Sequence, residues 1–289
     1  MTYLHPEFVA LRRARDDGRP LREAWQAFRE KARSNSDHPP FIVRDVVEQV
    51  RAQQGERAPE EITILDHGCG GGFALLYLLA LGYTEIYGVD LTSNEDKKTW
   101  NELCAEVSGL PERRFRYYDG TRLPFENDSF DIVFSTQVVE HIEQRFWDIY
   151  FSEEARVLKP GGRAFHEIPH RLSPYDSHTQ TWFVHYLPRP IHQRFYRLSG
   201  RGPEDIHYLR LPSTIEKTLR RHIGRTENLT MRAFLANADP ETYDGPSGLR
   251  RFVHAACSFP VLGPIARIVM GPFIMYRLVA IKPAPPNKL

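Results

Sequence analysis

Short runs of β-branched and apolar residues alternate along the chain with stretches in which apolar positions recur every three or four residues, a pattern that predicts strands interleaved with helices. Residues 62–65, 86–90, 115–118, 131–134 and 163–168 read as five buried strands. Leu21, Trp25, Phe28 and Ala32 share one helical face, and Val43, Val46, Val47 and Val50 share another, with Ser36, Asp37, His38, Pro39 and Pro40 breaking the two apart. A third stripe, Trp100, Leu103, Cys104 and Val107, is capped by Ser93 and Asn94 and stopped by Pro111. A fourth, Phe146, Ile149, Tyr150 and Val157, ends at Lys159-Pro160-Gly161-Gly162. Further on, 229–234 reads as a strand, 252–266 as a packed helix and 273–281 as a final strand. Strand and helix in alternation mark an α/β fold with a doubly wound, mostly parallel sheet. Residues 1–60 are a helical addition that packs on the sheet or covers a cleft as a lid; residues 61–289 form the α/β domain, with an insertion over 171–225.

The first strand runs into Asp66-His67-Gly68-Cys69-Gly70-Gly71-Gly72, and an apolar helical run follows at once. Gly68, Gly70 and Gly72 allow positive φ and close backbone approach to a ligand, and the first amides of the following helix are free to receive polar groups. Asp90 ends the next strand, about 20 residues on, where a carboxylate can accept two ribose hydroxyls. A dinucleotide fingerprint, G-x-G-x-x-G, wants a glycine where Phe73 stands, which disfavours an NAD-dependent oxidoreductase.

The Asp66-x-Gly68-x-Gly70-x-Gly72 pattern does not stand alone. Tyr118-Asp119-Gly120, Leu123-Pro124-Phe125, the strand 130–135, Val138-Val139-Glu140-His141-Ile142 and Leu158-Lys159-Pro160-Gly161-Gly162 follow in order. Over residues 60–170 this set resembles the class I, Rossmann-like S-adenosylmethionine (SAM)-dependent methyltransferases. The resemblance implies a seven-stranded sheet, SAM as cofactor, and a cofactor site drawn from Asp66, Gly68, Cys69, Gly70, Gly72, Asp90, Leu91, Asp119, Gly120, Thr136 and Gln137, with Asp119 on the adenine amino group. It also implies in-line displacement of the sulfonium methyl, for which the protein supplies alignment and, with a hydroxyl acceptor, a base. Histidine suits that base. His170, just past the fifth strand, and His141, after the fourth, are the candidates.

The stretch after His170 is rich in proline, with Tyr175, His178, Trp182, Phe183, His185 and Tyr186 interspersing rings and polar tips. It reads either as an acceptor pocket for flat or sugar-like molecules or as a small core beneath a loop. Its wording is similar to bacterial methyltransferases of surface-glycan or secondary-metabolite pathways. Oxygen is the preferred acceptor atom, because the region offers bases but few carboxylates to hold an amine; an N-methyltransferase and a SAM-binding regulatory protein without catalysis are the alternatives.

Composition narrows the partners. With 289 residues, 41% hydrophobic and 26% charged, the chain can bury a full core, and a net charge of +1 offers no field for nucleic acid. Three widely spaced cysteines, Cys69, Cys104 and Cys257, fit reduced thiols in the cytoplasm rather than a disulfide framework, and no secretory signal is visible. No zinc- or calcium-type ligand spacing occurs, so no metal is expected. The longest uncharged run near the end, 252–266, is 15 residues long and contains Pro260 and Pro264, too short to span a membrane. With Arg250, Arg251, Arg267 and Arg277 beside it, the region 252–281 is an alternative candidate for peripheral membrane contact. The pattern leaves oligomeric state open.

Overall fold

Strands β1 (Ile64–His67), β2 (Ile86–Leu91), β3 (Phe115–Tyr118), β4 (Phe130–Thr136), β5 (Leu158–Ile168), β8 (Arg225–Asn228) and β9 (Tyr276–Ile281) form one sheet in the order β3-β2-β1-β4-β5-β9-β8, and β6 (Tyr175–Asp176) pairs with β7 (Thr181–Trp182). This computed structural model describes residues 6–91, 106–107, 109, 114–176, 181–188, 190–191, 194, 198, 208–236 and 247–284. The helical stripe around Trp100 lies outside them. β1 pairs in parallel with β2 and β4, β2 with β3, and β8 runs antiparallel to β9. Strand order reverses between β1 and β4, the place where ligands bind in such sheets. The chain divides into two compact units, residues 1–135, 153–164 and 282–289 in the first and 136–152 and 165–281 in the second.

In the first unit, the helix Phe73–Ala80 reads Phe-Ala-Leu-Leu-Tyr-Leu-Leu-Ala, apolar all round, so it must be covered on every side. The N-terminal residues provide part of that cover. They form three helices, Pro6–Asp16, Leu21–Ser34 and Phe41–Gln54, one more than the stripes predicted. Phe8 meets Phe73 edge-on at 4.7 Å between centroids, Phe28 meets Tyr77 at 6.3 Å, and Arg33 donates to the Ala80 carbonyl at 2.9 Å. The expected stripe Val43, Val46, Val47 and Val50 is buried throughout. Asp131, at the start of β4, accepts from Lys159, Arg57 and the Thr63 amide and hydroxyl at 2.7–3.0 Å. Burial opposes its charge, but these donors prevail and hold the carboxyl well below the usual range.

Three expectations need correction. The helix Trp147–Val157 buries Trp147, Tyr150, Phe151, Glu154 and Val157 and leaves Phe146 and Ile149 exposed, so its inner face is rotated from the predicted stripe. Residues 229–234 do not form a strand; β8 comes first, then the helix Thr230–Ala236, whose Thr230 amide is capped by Asn228 Oδ1 at 2.9 Å. The region after residue 246 holds two helices, Ser247–Ser258 and Gly263–Met270, and the last strand starts at Tyr276 because Gly271–Phe273 makes a 3₁₀ turn.

Candidate active site

The glycine turn of the first unit takes the predicted conformation. Gly68, Gly70 and Gly72 have φ of 89°, 48° and 70°, values at which a side chain would be strained. The Gly68 and Cys69 amides both donate to the Val89 carbonyl at 2.8 and 3.1 Å, which ties the turn to β2. Asp90 closes the same turn from the other side, with Oδ2 accepting from the Gly70 amide at 2.8 Å and Oδ1 from the Leu91 amide at 2.7 Å. Asp66 is buried beside it. Burial, with the Asp90 charge adding, pushes the Asp66 carboxyl well above the usual range. Among the described residues no cation pairs with Asp66, so the pair is an acidic site that a cationic ligand rich in hydroxyls would relieve.

Asp119 lies exposed at the end of β3, its Oδ1 accepting from the Thr121 amide and hydroxyl at 2.9 and 2.6 Å, bonds that hold its carboxyl below the usual range. Gly120 has φ of 86°, and a Cβ there would lie 3.4 Å from Leu91 Cδ2, so Leu91 flanks this turn. Cys69 is a buried thiol packed near Gly88, a position that calls for a small side chain.

No local pattern of residues signals the hydrogen-bond chain behind these turns. His67, last residue of β1, has Nδ1 2.8 Å from Glu154 Oε1 and Nε2 2.8 Å from the Tyr118 hydroxyl. Burial first, then the carboxylates of Glu154, Asp90, Asp119 and Glu153, push the Tyr118 phenol far up, so it stays protonated.

In the second unit, Thr136 and Gln137 follow the body of β4; Gln137 has φ of 55° and donates its amide to the Glu167 carbonyl at 2.9 Å. The short turn Val139–His141 comes next. Its Glu140 is 1% exposed, and neither carboxylate oxygen has a hydrogen-bond partner among the described residues. Burial chiefly, with Glu167 adding, pushes this carboxyl up to about 8. The Tyr208 amide donates to the Glu140 carbonyl at 2.6 Å, and Glu167 lies 3.4 Å from Arg277 Nε. Glu140 was not among the expected site residues. A lone carboxylate directly after Val138-Val139 was the available signal.

His170 takes a different place from the one expected. It is fully buried, with Nε2 2.7 Å from the Ile274 carbonyl and Nδ1 accepting from the Leu172 amide at 3.2 Å. Both ring nitrogens are committed to backbone, which makes the ring an anchor for the following loop. His141 is exposed. Tyr175 and Trp182 pair across the β6–β7 hairpin with rings 5.2 Å apart, while Trp182, Phe183 and Tyr186 are exposed and Tyr186 donates to the Leu172 carbonyl at 2.6 Å. His178 and the side chain of His185 lie outside the described residues. Among those residues, no group of three or more His, Cys, Asp and Glu could hold a metal ion.

Comparison with known proteins agrees with the first unit's geometry. Residues 65–166 match the methyltransferase domain family. Residues 65–166 thus carry a class I SAM-dependent methyltransferase domain. The ubiquinone biosynthesis O-methyltransferase of Maricaulis maris (strain MCS10) is 30% identical to this methyltransferase over 161 residues, 54% of this chain and 61% of that protein. The chloroplastic tocopherol O-methyltransferase of Arabidopsis thaliana is 32% identical over 133 residues, 45% of this chain and 37% of that one. The chain thus spans less than two thirds of these curated relatives. A geranyl diphosphate C-methyltransferase from Streptomyces coelicolor A3(2), solved with Mg2+, geranyl diphosphate and S-adenosyl-L-homocysteine (SAH), aligns with TM-score 0.47 at 14% identity, covering 81% of this chain and 77% of that one. The cofactor of the family is SAM, and the residues here fit it. The glycine turn has the positive φ that lets backbone approach a ligand closely, and Asp90 and Asp66 set two carboxyl groups beside it.

Proposed function

We propose that this methyltransferase transfers the methyl group of SAM to a hydroxyl oxygen of a small phenolic or sugar-like acceptor. The observation that supports it most is the buried pair Asp66 and Asp90 closed on a glycine turn whose three glycines have positive φ. SAM brings a methyl group already activated on a sulfonium. Asp90 accepts the ribose hydroxyls, Asp66 offsets the ligand's positive charge, and the Asp119-Gly120 turn, flanked by Leu91, receives the adenine.

Two relatives named as O-methyltransferases favour oxygen as the acceptor atom. For the proton of that hydroxyl, Glu140 replaces His170 as the candidate base, with the adjacent His141 as second candidate. A buried carboxyl pushed up to about 8 is poised to take a proton near the working pH. Trp182, Tyr186 and Tyr175 offer ring faces to a flat acceptor, and His178 and His185 polar tips. Cys69 and Cys257, neither of them in a disulfide, suit the cytoplasm.

A second reading is an amine acceptor, with the buried Glu140 carboxyl as the group that would receive its proton. The experiment has two steps. Calorimetric titration with SAM and with NAD should show binding of SAM alone. Transfer of labelled methyl from SAM to panels of phenols, sugars and amines then separates oxygen from nitrogen. SAM binding without any product across the panels would favour a SAM-binding regulatory protein.

A further inference from the structure

The helices Ser247–Ser258 and Gly263–Met270 are inside out for elements surrounded by water. In the first, Arg250 is 4% exposed with its guanidinium 4.8 Å from the Phe234 ring centre, and His254 bonds the Leu235 carbonyl at 3.0 Å, while Phe252 on the outer side is 63% exposed. In the turn between the helices, Val261 is 76% exposed, and Phe259 and Leu262 are exposed with it. In the second helix Ile268 is 76% exposed, with Ile265 and Val269 exposed beside it, and only Gly263 is buried. The two helices pack on each other, so these side chains belong to one structural element. Single exposed apolar residues are ordinary, but this many on two packed helices and the turn that joins them mark an interaction surface.

Charge identifies the occupant. Residues 247–281 contain Arg250, Arg251, Arg267 and Arg277 and neither aspartate nor glutamate. Arg251 and Arg267 are exposed. We propose that this face docks on a lipid bilayer with anionic headgroups, the residues 259–262 entering the boundary between headgroups and acyl chains and the two arginines meeting phosphates. Helices of 12 and 8 residues lie in the interface; among the described residues no helix is long and apolar enough to cross. A two-fold contact between copies fits less well, because it would bring Arg251 and Arg267 of both copies together, and among the described residues 247–281 there is no carboxylate to pair with them.

The test is co-sedimentation of the full chain with vesicles, read without any methyl acceptor and so independent of the catalytic reading. Vesicles of phosphatidylcholine with phosphatidylglycerol should pellet the protein, and phosphatidylcholine alone should pellet far less. Raising salt from about 0.1 M to about 1 M should weaken the binding. Val261→Glu with Ile268→Glu should lower the bound fraction by roughly tenfold or more, and Arg251→Glu should remove the preference for the anionic lipid. Val261→Trp provides a gain of signal that does not depend on damage, with the added emission shifting to the blue on anionic vesicles. No pelleting with either lipid and no blue shift would overturn the proposal. Sedimentation velocity would then show whether the face joins two copies, as dimers dissolved by Val261→Glu would indicate.

Discussion

His67 and Glu154 lie 87 residues apart in sequence, yet Nδ1 of the imidazole and Oε1 of the carboxylate are 2.8 Å apart in a site closed to solvent. A carboxylate accepts only, so Nδ1 carries the proton toward Glu154, and Nε2 is left to accept the Tyr118 hydroxyl. The chain crosses over β2, which lies between β1 and β3. It ties together the residues just before Gly68 and Asp119, the two turns assigned to the cofactor.

Tyr118→Phe keeps the ring but leaves Nε2 of a buried imidazole without its donor. Unfolding free energy should fall by about 1–3 kcal/mol in urea titrations. Affinity for SAH should fall as well, by calorimetry. Stability lost with SAH affinity retained would show that the chain supports the sheet without setting the turns.

Asp90 and Asp66 should separate binding from stability. Asp90→Ala removes the acceptor for the Gly70 amide and for the proposed ribose contact, and SAM affinity should drop by roughly 10-fold to 100-fold. Asp66→Asn replaces a carboxyl that burial and Asp90 disfavour as an anion with a neutral group of the same shape. Melting temperature should hold or rise while SAM affinity falls, a trade of function for stability. A lower melting temperature with unchanged affinity would contradict the assignment.

Glu140 predicts a pH dependence. Its carboxyl moves from 4.5 to about 8 in the fold, chiefly through burial, so the folded protein holds this proton more tightly than the unfolded chain. That contribution to stability is complete below about pH 4.5 and is lost as pH rises through about 8. Glu140→Gln, which carries no titrating proton, should flatten this decline in thermal unfolding followed across the same range. Methyl transfer should fall in the same variant if Glu140 accepts the acceptor's proton; unchanged turnover would return the role to His141.

Two glycines outside the cofactor turn should be intolerant for different reasons. A Cβ at Gly88 would come within 2.9 Å of Leu75 and 3.0 Å of Cys69 and Phe115 side-chain atoms, which can give way at a cost of about 1–3 kcal/mol. At Gly162 the nearest atoms are the Lys159 and Asp131 carbonyl oxygens, at 2.8 and 2.9 Å, and backbone cannot step aside so easily. Gly162→Ala should therefore destabilise more than Gly88→Ala in denaturant titrations.

Legibility in the sequence followed the range of the interaction that decides each feature. β1 to β4 and the second half of β5 were visible because apolar runs are local, whereas Lys159-Pro160-Gly161-Gly162, expected as the turn before β5, lies inside that strand. β8 was not, since Arg-Thr-Glu-Asn has no apolar alternation and becomes a strand only by pairing with β9. The next apolar run, around Phe234, then becomes a helix, a choice that short apolar runs leave open. The N-terminal helix that buries Phe8, Leu11 and Ala14 was hidden among arginines.

From the sequence alone come the α/β class, the glycine turn, Asp90 at the end of its strand and the methyltransferase domain of residues 65–166, because spacing along the chain governs backbone geometry within a strand, turn and helix. Only the tertiary structure decides which polar side chains are free to act. His170 is taken up by two backbone groups, His67 by Glu154 and Tyr118, and Glu140 lies buried with neither oxygen hydrogen-bonded among the described residues. Burial and hydrogen bonding depend on partners brought from distant positions, and those distances exist only in the folded chain.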